Sequence, residues 1–129
     1  KKKKINTMKK IYLAIPYSGI QESSYEQATR ATAELMSGDH DVNVFSPITH
    51  SHPLTQHGVR GDWDFWKKID FQFIDWADEV WVVVPNEGIK HILMSVGVIA
   101  EINYANESKK PVHYYKRNPK TDKLEEVTL

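Results

Sequence analysis

Cysteine is absent from the 129 residues of the chain. Its absence excludes disulfide bonds, zinc–thiolate sites and thiol nucleophiles from the structure and its chemistry. Long apolar runs are also missing, because no segment reaches the length that spans a membrane and none resembles a secretory signal. We therefore expect a cytoplasmic protein that does not bind membranes.

The sequence also has no glycine-rich loop of the kind that binds phosphate. Neither the Walker pattern nor the dinucleotide-binding pattern occurs, which argues against phosphoryl transfer and nicotinamide chemistry. His50, His52 and His57 suggest a metal site, but their spacing defines no third ligand within a structured element. We expect no metal and no other cofactor, and the sequence favours a histidine at the mouth of a pocket instead.

Charge is balanced over the whole chain, with 17 basic and 17 acidic residues. Six of the basic residues are lysines within the first ten positions, and residues 11–129 without them carry a net charge of −6. An acidic body is a poor surface for nucleic acid. We therefore expect no nucleic-acid partner.

The length of the chain suits one domain with a core of ordinary size. Met8-Lys9-Lys10-Ile11 resembles a natural start, and the lysine-rich residues before it carry no apolar pattern. We therefore expect residues 1–9 to be a disordered leader or an expression remnant and residues 10–129 to form the domain.

Short apolar runs alternate with segments of helical periodicity. Ser23-Ser24-Tyr25-Glu26 has the pattern of a capping box and predicts a first helix that ends at Gly38. Residues 48–61 have no periodicity and are predicted to form a long loop. This order predicts a single domain of the α/β class. Its sheet is expected to be parallel, doubly wound and flavodoxin-like, with four to five strands. The strands are predicted over residues 10–15, 42–45, 78–84 and 111–115, the later helices over 62–77 and 95–107, and a turn with a possible edge strand over 118–129.

Glu101 lies on the apolar stripe of the last predicted helix. Val98 and Ala105 share the stripe, so the carboxylate faces inward, where its charge is costly without a partner or a task. Gly97 lies one turn earlier on the same face and leaves access to the carboxylate open.

Asp70 has a similar position on the buried stripe of the helix predicted over residues 62–77. The structural alternatives for this carboxylate are capping of a loop and pairing with Arg60. Ligands of a doubly wound sheet bind beyond the carboxyl ends of its strands. Since both helices begin at those ends, Asp70 and Glu101 are expected to approach one crevice.

Three separated blocks of the sequence resemble one known family. The first is Ile11-Tyr12-Leu13, followed by a short loop with serine and glycine. The second is Asp70, eight residues before Asp78, and the third is Ser95-x-Gly97-Val98-x-x-Glu101 followed by Tyr104-Ala105. In this order the blocks are similar to those of the nucleoside 2-deoxyribosyltransferase-like superfamily, which includes 2'-deoxynucleoside 5'-phosphate N-hydrolases.

The resemblance implies cleavage of the N-glycosidic bond of a small-molecule nucleoside or nucleotide. Glu101 matches the nucleophile that attacks C1' of the sugar, and Tyr12 matches the tyrosine that orients it, although Tyr12 could also be a core aromatic. Asp70 matches the acid that protonates the leaving base. The residue chemistry agrees, because glycosidic cleavage uses one ionised carboxyl group and one that an apolar site keeps protonated.

Ser95 bears on the substrate that the resemblance implies. The transferases that act on free nucleosides carry aspartate at the matching position, whereas the monophosphate hydrolases carry serine. Serine at a helix N-terminus accepts a phosphate that aspartate would repel. The hydrolases also place an arginine in the first loop, where this chain has Ser18, so Lys90 or His91 would have to supply positive charge.

The sequence thus predicts an N-glycosidase that hydrolyses 2'-deoxynucleoside 5'-monophosphates. Base exchange by a transferase and nucleotide binding without catalysis are the alternatives. Members of the superfamily form dimers or larger assemblies, so the resemblance implies at least a homodimer, and Trp63 could stack on a base or pack in the core or an interface. The candidate catalytic residues are Glu101, Asp70 and Tyr12, and the candidate substrate-binding residues are Pro16, Ser18, Gly19, Trp63, Ser95, Val96 and Gly97.

Overall fold

A computed structural model describes residues 8–38 and 41–129 of the chain. The expected leader falls mainly on residues 1–7, outside the described residues, and the first strand already begins at Lys9. Within the described residues, one or two helices connect each strand to the next from β1 to β4, and β5 follows β4 directly. The strands are β1 (Lys9–Ala14), β2 (Val42–Phe45), β3 (Glu79–Val83), β4 (Val112–Asn118) and β5 (Lys123–Val127), and the helices are α1 (Gln21–Ser37), α2 (Pro47–Thr55), α3 (Trp63–Trp76), α4 (Lys90–Leu93) and α5 (Val96–Glu107).

One sheet with the strand order β2-β1-β3-β4-β5 forms the centre of the molecule. Its first four strands run parallel, whereas β5 pairs antiparallel with β4 at the edge. The predicted α/β class with a doubly wound, flavodoxin-like sheet is therefore confirmed. The possible edge strand near the end of the sequence is β5.

β1 shows how the sheet separates two cores, because alternate residues of a strand point to opposite faces. Tyr12 and Ala14 belong to the core beneath α3 and α5, whereas Ile11 and Leu13 belong to the core beneath α1. All four residues are fully buried, as a parallel strand covered on both faces requires. Tyr12 therefore lies on the side of the sheet that faces the helices carrying Asp70 and Glu101.

The strand order also fixes where a ligand site can form. The chain passes from β1 to β2 on one side, whereas β3 pairs with β1 on the other side. Connections leave the carboxyl ends of β1 and β3 in opposite directions, and a crevice opens between them. The loop after β1 and the segment with α4 after β3 both begin at this crevice.

The capping-box prediction for the first helix is wrong. Helix α1 begins at Gln21, and its N-cap residue Ile20 makes no side-chain cap. Ser23 instead donates its hydroxyl to Glu87 at 2.5 Å, and Ser24 is buried on the face that packs on the sheet. Ser24 shares this buried face with Ala28, Ala31 and Leu35.

The prediction of a long loop over residues 48–61 is also wrong, because most of α2 lies there. The hydroxyl oxygen of Ser46 accepts a hydrogen bond from the backbone N–H of Thr49 at 3.2 Å and caps the helix. Pro47 occupies the first turn, where no backbone N–H is needed. The Ser-Pro pair was therefore the signal for a helix start, although the following residues lack amphipathic spacing.

Helices α3 and α5 begin where the sequence predicted. The Asp62 carboxylate accepts from Phe65 N at 3.3 Å, and the Ser95 hydroxyl oxygen accepts from Val98 N at 3.1 Å. Between β3 and α5, residues without a predicted structure form the single-turn helix α4. No helix in the described part of the chain is long and apolar enough to cross a membrane.

Candidate active site

Glu101 is buried on the inward face of α5, with 5% of its surface exposed. Val98 and Ala105 share this face and belong to the core beneath α3 and α5. Gly97 lies directly beneath the ring of Trp63, because a Cβ atom at position 97 would be 3.4 Å from Cε3 of that tryptophan. The helix thus brings a carboxyl group into the interior and leaves room for an aromatic wall beside it.

Asp70 is buried on α3 with 7% of its surface exposed. Trp66 and Ile74, one turn on either side, are the other buried residues of this helix. Asp70 does not pair with Arg60, because Arg60 pairs with Asp62 at 2.7 Å instead.

The Tyr12 side chain lies beneath the two carboxyl groups. Its ring is fully buried in the sheet, and its hydroxyl donates a hydrogen bond to Oε2 of Glu101. The charge of Asp70 is also close enough to raise the pKa of the Tyr12 hydroxyl. The strand and the two helices therefore bring three ionisable groups together from positions that are distant in the sequence.

A cavity of about 490 Å³ opens above this group. The first loop and α2 form one part of its lining, and the N-terminal halves of α3 and α5 with α4 form the rest. Both carboxyl groups reach this cavity. Its lining residues are Ile15, Pro16, Tyr17, Ser18, Pro47, Ile48, Ser51, Thr55, Gly61, Trp63, Trp66, Asp70, Lys90, His91, Met94, Ser95, Val96, Gly97, Val98 and Glu101.

Burial governs the protonation of the pair. It raises the pKa of Glu101 from 4.5 to about 8 and the pKa of Asp70 from 3.8 to about 7. The charge of Asp70 raises the pKa of Glu101 further, whereas the hydrogen bond from Tyr12 opposes the shift. The pair of carboxyl groups is therefore only partly ionised at neutral pH.

Tyr12 remains a hydrogen-bond donor under these conditions. Burial raises the pKa of its hydroxyl well above 10, and the charges of Glu101 and Asp70 add to the shift. A tyrosine has one proton to donate, and here that proton goes to Glu101. The ionised form of Glu101 therefore has a fixed donor.

Eight of the ten candidate site residues named from the sequence line the cavity. Tyr12 lies below the lining and contacts it through Glu101. Gly19 is not part of the lining and holds a left-handed turn, with φ +83°, at the end of the first loop. The eight that line it are Pro16, Ser18, Trp63, Asp70, Ser95, Val96, Gly97 and Glu101.

Helix α2 contributes cavity residues that sequence reasoning missed, because this segment was predicted as a loop. Ser51 and Thr55 face the cavity from it. His52 is buried and bonded to Tyr17 and Glu22 through its two ring nitrogens. Within residues 8–38 and 41–129, no three histidine or acidic side chains are grouped as a metal site requires.

A family model described as a domain of unknown function, DUF1937, matches residues 9–117. The chain belongs to the DUF1937 family. The match runs from the start of β1 almost to the end of β4, so it includes Tyr12, Asp70 and Glu101 and leaves out the antiparallel strand β5. Comparison of this DUF1937 chain with curated proteins gave no match.

The DUF1937 chain also has a fold similar to that of a solved 2-deoxyribosyltransferase from the psychrotolerant bacterium Bacillus psychrosaccharolyticus. The TM-score is 0.55 and the sequence identity 24%, over 85% of this chain and 74% of that one. The resemblance to the nucleoside 2-deoxyribosyltransferase-like superfamily is therefore confirmed at the level of the fold.

The raised pKa of Glu101 predicts a pH-dependent effect of Glu101→Gln on stability. Between about pH 4.5 and pH 8 the folded chain keeps a proton that the unfolded chain has released, so its free energy of unfolding falls as the pH rises. Glutamine does not ionise, so its contribution to the free energy of unfolding does not change with pH. We expect the variant to be more stable than the parent at pH 8, by on the order of a few kcal/mol, and the difference to vanish near pH 4.

Urea unfolding at a series of pH values measures this difference. Glu107→Gln, at the exposed end of the same helix, is the matched control and should show little dependence on pH. Parallel curves for Glu101→Gln and the parent would contradict the prediction.

Proposed function

We propose that this DUF1937 chain is a metal-independent N-glycosidase that hydrolyses the base–sugar bond of 2'-deoxynucleoside 5'-monophosphates. The observation that carries the proposal is the pair of buried carboxyl groups in one cavity, with the Tyr12 hydroxyl bonded to Glu101. Cleavage of a glycosidic bond needs two carboxyl groups with different protonation states. The cavity holds two carboxyl groups, and the Tyr12 hydroxyl donates its proton to one of them.

Glu101 acts as the nucleophile in this reaction. Its carboxylate attacks C1' of the deoxyribose, the bond between C1' and the base nitrogen breaks, and the bonding electron pair leaves with the base. Asp70 gives its proton to the departing nitrogen. Water then attacks C1' of the glycosyl ester, its proton goes to Asp70, and the free sugar phosphate leaves with Glu101 restored as a carboxylate.

The assignment of charge to Glu101 and of the proton to Asp70 depends on Tyr12. Before substrate binds, Glu101 has the higher pKa of the two even with its hydrogen bond from Tyr12, which favours the opposite assignment. The single Tyr12 proton is nevertheless donated to Glu101, and a hydrogen bond to a charged form favours that form. Substrate binding also places the leaving base, which must take up a proton, within reach of the cavity group Asp70.

The cavity suits a nucleotide in size and lining. Its volume of about 490 Å³ lies within the range of small-molecule sites. Trp63 offers an aromatic face for a base. At the start of α5, the Ser95 oxygen accepts from Val98 N and keeps its own proton for a phosphate oxygen. Lys90 in the lining supplies the positive charge that the first loop lacks, and His91 lies beside it.

Deoxyribosyl transfer to a second base is the alternative reaction. The structural relative is described as a 2-deoxyribosyltransferase, and none of the lining residues in the described part of the chain is arginine. Both reactions pass through the same ester of Glu101 and differ in whether water or a base attacks it. A requirement for an acceptor base therefore distinguishes them.

We also propose that the chain acts in the cytoplasm as a homodimer or higher homo-oligomer. Apolar side chains at the mouth of the cavity support this assembly, since Leu93, Met94 and Val96 are 68%, 78% and 72% exposed. Neighbouring exposed apolar groups of this kind are typical of interaction surfaces.

Sedimentation of the chain at micromolar concentration is expected to give a dimer or a larger species. Leu93→Glu places a charge on the apolar surface and should shift the equilibrium toward the monomer. Met36→Glu changes a 52% exposed methionine on α1 and should leave the assembly intact. A monomeric parent protein would contradict the proposed assembly.

The proposed reaction predicts release of free base from at least one 2'-deoxynucleoside 5'-monophosphate without an added metal or acceptor. Chromatography of a panel of deoxynucleotides and deoxynucleosides measures it. Turnover only when a second base is present would favour transfer. Binding without turnover, seen as a rise in melting temperature, would replace the proposal with nucleotide binding alone.

Variants of the two carboxyl groups are expected to lose activity for different reasons. Glu101→Gln removes the nucleophile and should lower kcat by roughly 10³-fold or more. Asp70→Asn removes the proton donor and should cost roughly 10²- to 10⁴-fold, while abolishing the alkaline limb of a bell-shaped pH profile. Glu107→Gln should retain full activity, and a Glu101→Gln variant with unchanged kcat would exclude the mechanism.

A further inference from the structure

A chain of three hydrogen-bonded side chains lies behind the part of the cavity wall formed by α2 and the first loop. The Tyr17 hydroxyl contacts Nδ1 of His52 at 2.7 Å, and Nε2 of His52 contacts Oε2 of Glu22 at 2.9 Å. Tyr17 lines the cavity, whereas the Glu22 side chain is 78% exposed. These three hydrogen-bonded side chains therefore connect the solvent-facing side of α1 with the cavity.

His52 is held firmly at the centre of this chain. Only 5% of its surface is exposed, and its ring stacks on Tyr25 with the ring centroids 4.7 Å apart. The Tyr17 ring meets it edge-on at 5.7 Å. With the ring fixed and both nitrogens engaged, the partners decide which nitrogen carries the proton.

These partners select the tautomer of neutral His52 that is protonated at Nε2. A carboxylate accepts hydrogen bonds and donates none, so Glu22 requires a proton on Nε2. Nδ1 then carries a lone pair and accepts the proton of the Tyr17 hydroxyl. Burial raises the pKa of Tyr17, which keeps that proton in place at neutral pH.

We propose that Tyr17 is a specificity-determining residue that presents a hydrogen-bond acceptor to the substrate. Because its proton is committed to His52, the phenolic oxygen offers only lone pairs to a bound molecule. The wall therefore selects a substrate with an N–H or O–H donor at this position, which is either an amino group of the base or a hydroxyl of the sugar. The inference rests on the proposed function, because it concerns the same cavity.

The neighbours of Tyr17 fit the uncharged part of a nucleotide. The polar lining residues on α2 are the neutral Ser51 and Thr55, whereas the cationic Lys90 belongs to α4. A phosphate dianion carries acceptors only and gains nothing from the oxygen of Tyr17. The phosphate is therefore directed to the α4 side and the donor group to Tyr17.

Binding by the Glu101→Gln variant tests the inference without bond cleavage. Affinities are measured for deoxynucleotides and for analogues that lack either the amino group of the base or the 3'-hydroxyl. One of the two analogues is expected to bind roughly 10-fold more weakly than its parent compound. Adding Tyr17→Phe should bring this ratio close to one. Adding Tyr104→Phe instead, which removes a hydroxyl bonded to Asp75 at 2.7 Å outside the cavity, should leave the ratio unchanged.

Glu22→Gln separates tautomer control from a merely structural role. Glutamine offers Nε2 a donor as well as an acceptor, so it removes the preference for one tautomer. The selectivity ratio is expected to fall severalfold although Glu22 lies outside the cavity lining. Glu26→Gln, one turn along the exposed side of α1, removes the same charge and should leave the ratio intact.

Nitrogen-15 NMR of the unmodified protein at pH 8 reports the tautomer directly, and we expect the proton on Nε2 of His52. A proton on Nδ1, or a selectivity ratio that Tyr17→Phe does not change for either analogue, would overturn the inference. Selectivity for the amino group or for the sugar hydroxyl supports it and identifies the donor. Tyr17-dependent selectivity without cleavage would overturn the proposed function alone, whereas cleavage without that selectivity would overturn this inference alone.

Discussion

The contact between the Tyr12 hydroxyl and the carboxyl group of Glu101, beside Asp70, is the interaction on which the rest of the site depends. A buried carboxylate without a partner costs several kcal/mol, so the fold must hold these groups in place. Tyr12 comes from the central strand, and each carboxyl group comes from a helix whose other inward residues are apolar. Rigid elements rather than loops therefore place all three groups, as a reaction sensitive to shifts of about 1 Å requires.

Burial has opposite effects on the two tasks of the carboxyl pair. It raises the pKa of Asp70 to about 7, which suits the proposed proton donor, but it also favours the uncharged form of Glu101, which the proposed nucleophile cannot use. The hydrogen bond from Tyr12 opposes the shift at Glu101, because it stabilises the charged carboxylate. The proposed acid and base therefore share one buried environment.

Periodicity predicted the parts of the molecule that pack on the sheet. Glu101 and Asp70 were recognised because each interrupts an apolar stripe at helical spacing, and the strands were recognised as short apolar runs. Helix α2 was missed because its prolines and histidines show no such spacing, and its only signal was the cap at Ser46. The contacts of His52 were beyond prediction, since they join residues 30 and 35 positions apart and depend on how α1 and α2 pack together.

The antiparallel strand β5 gives the sheet two unlike borders. On one side, β4 is covered by β5, and Arg117 and Leu124 of this hairpin both bond to Glu34 of α1. On the other side, β2 is the terminal strand of the sheet that the described residues form. Each border of this sheet therefore presents a strand edge, with β2 in a parallel pair at one and β5 in an antiparallel hairpin at the other.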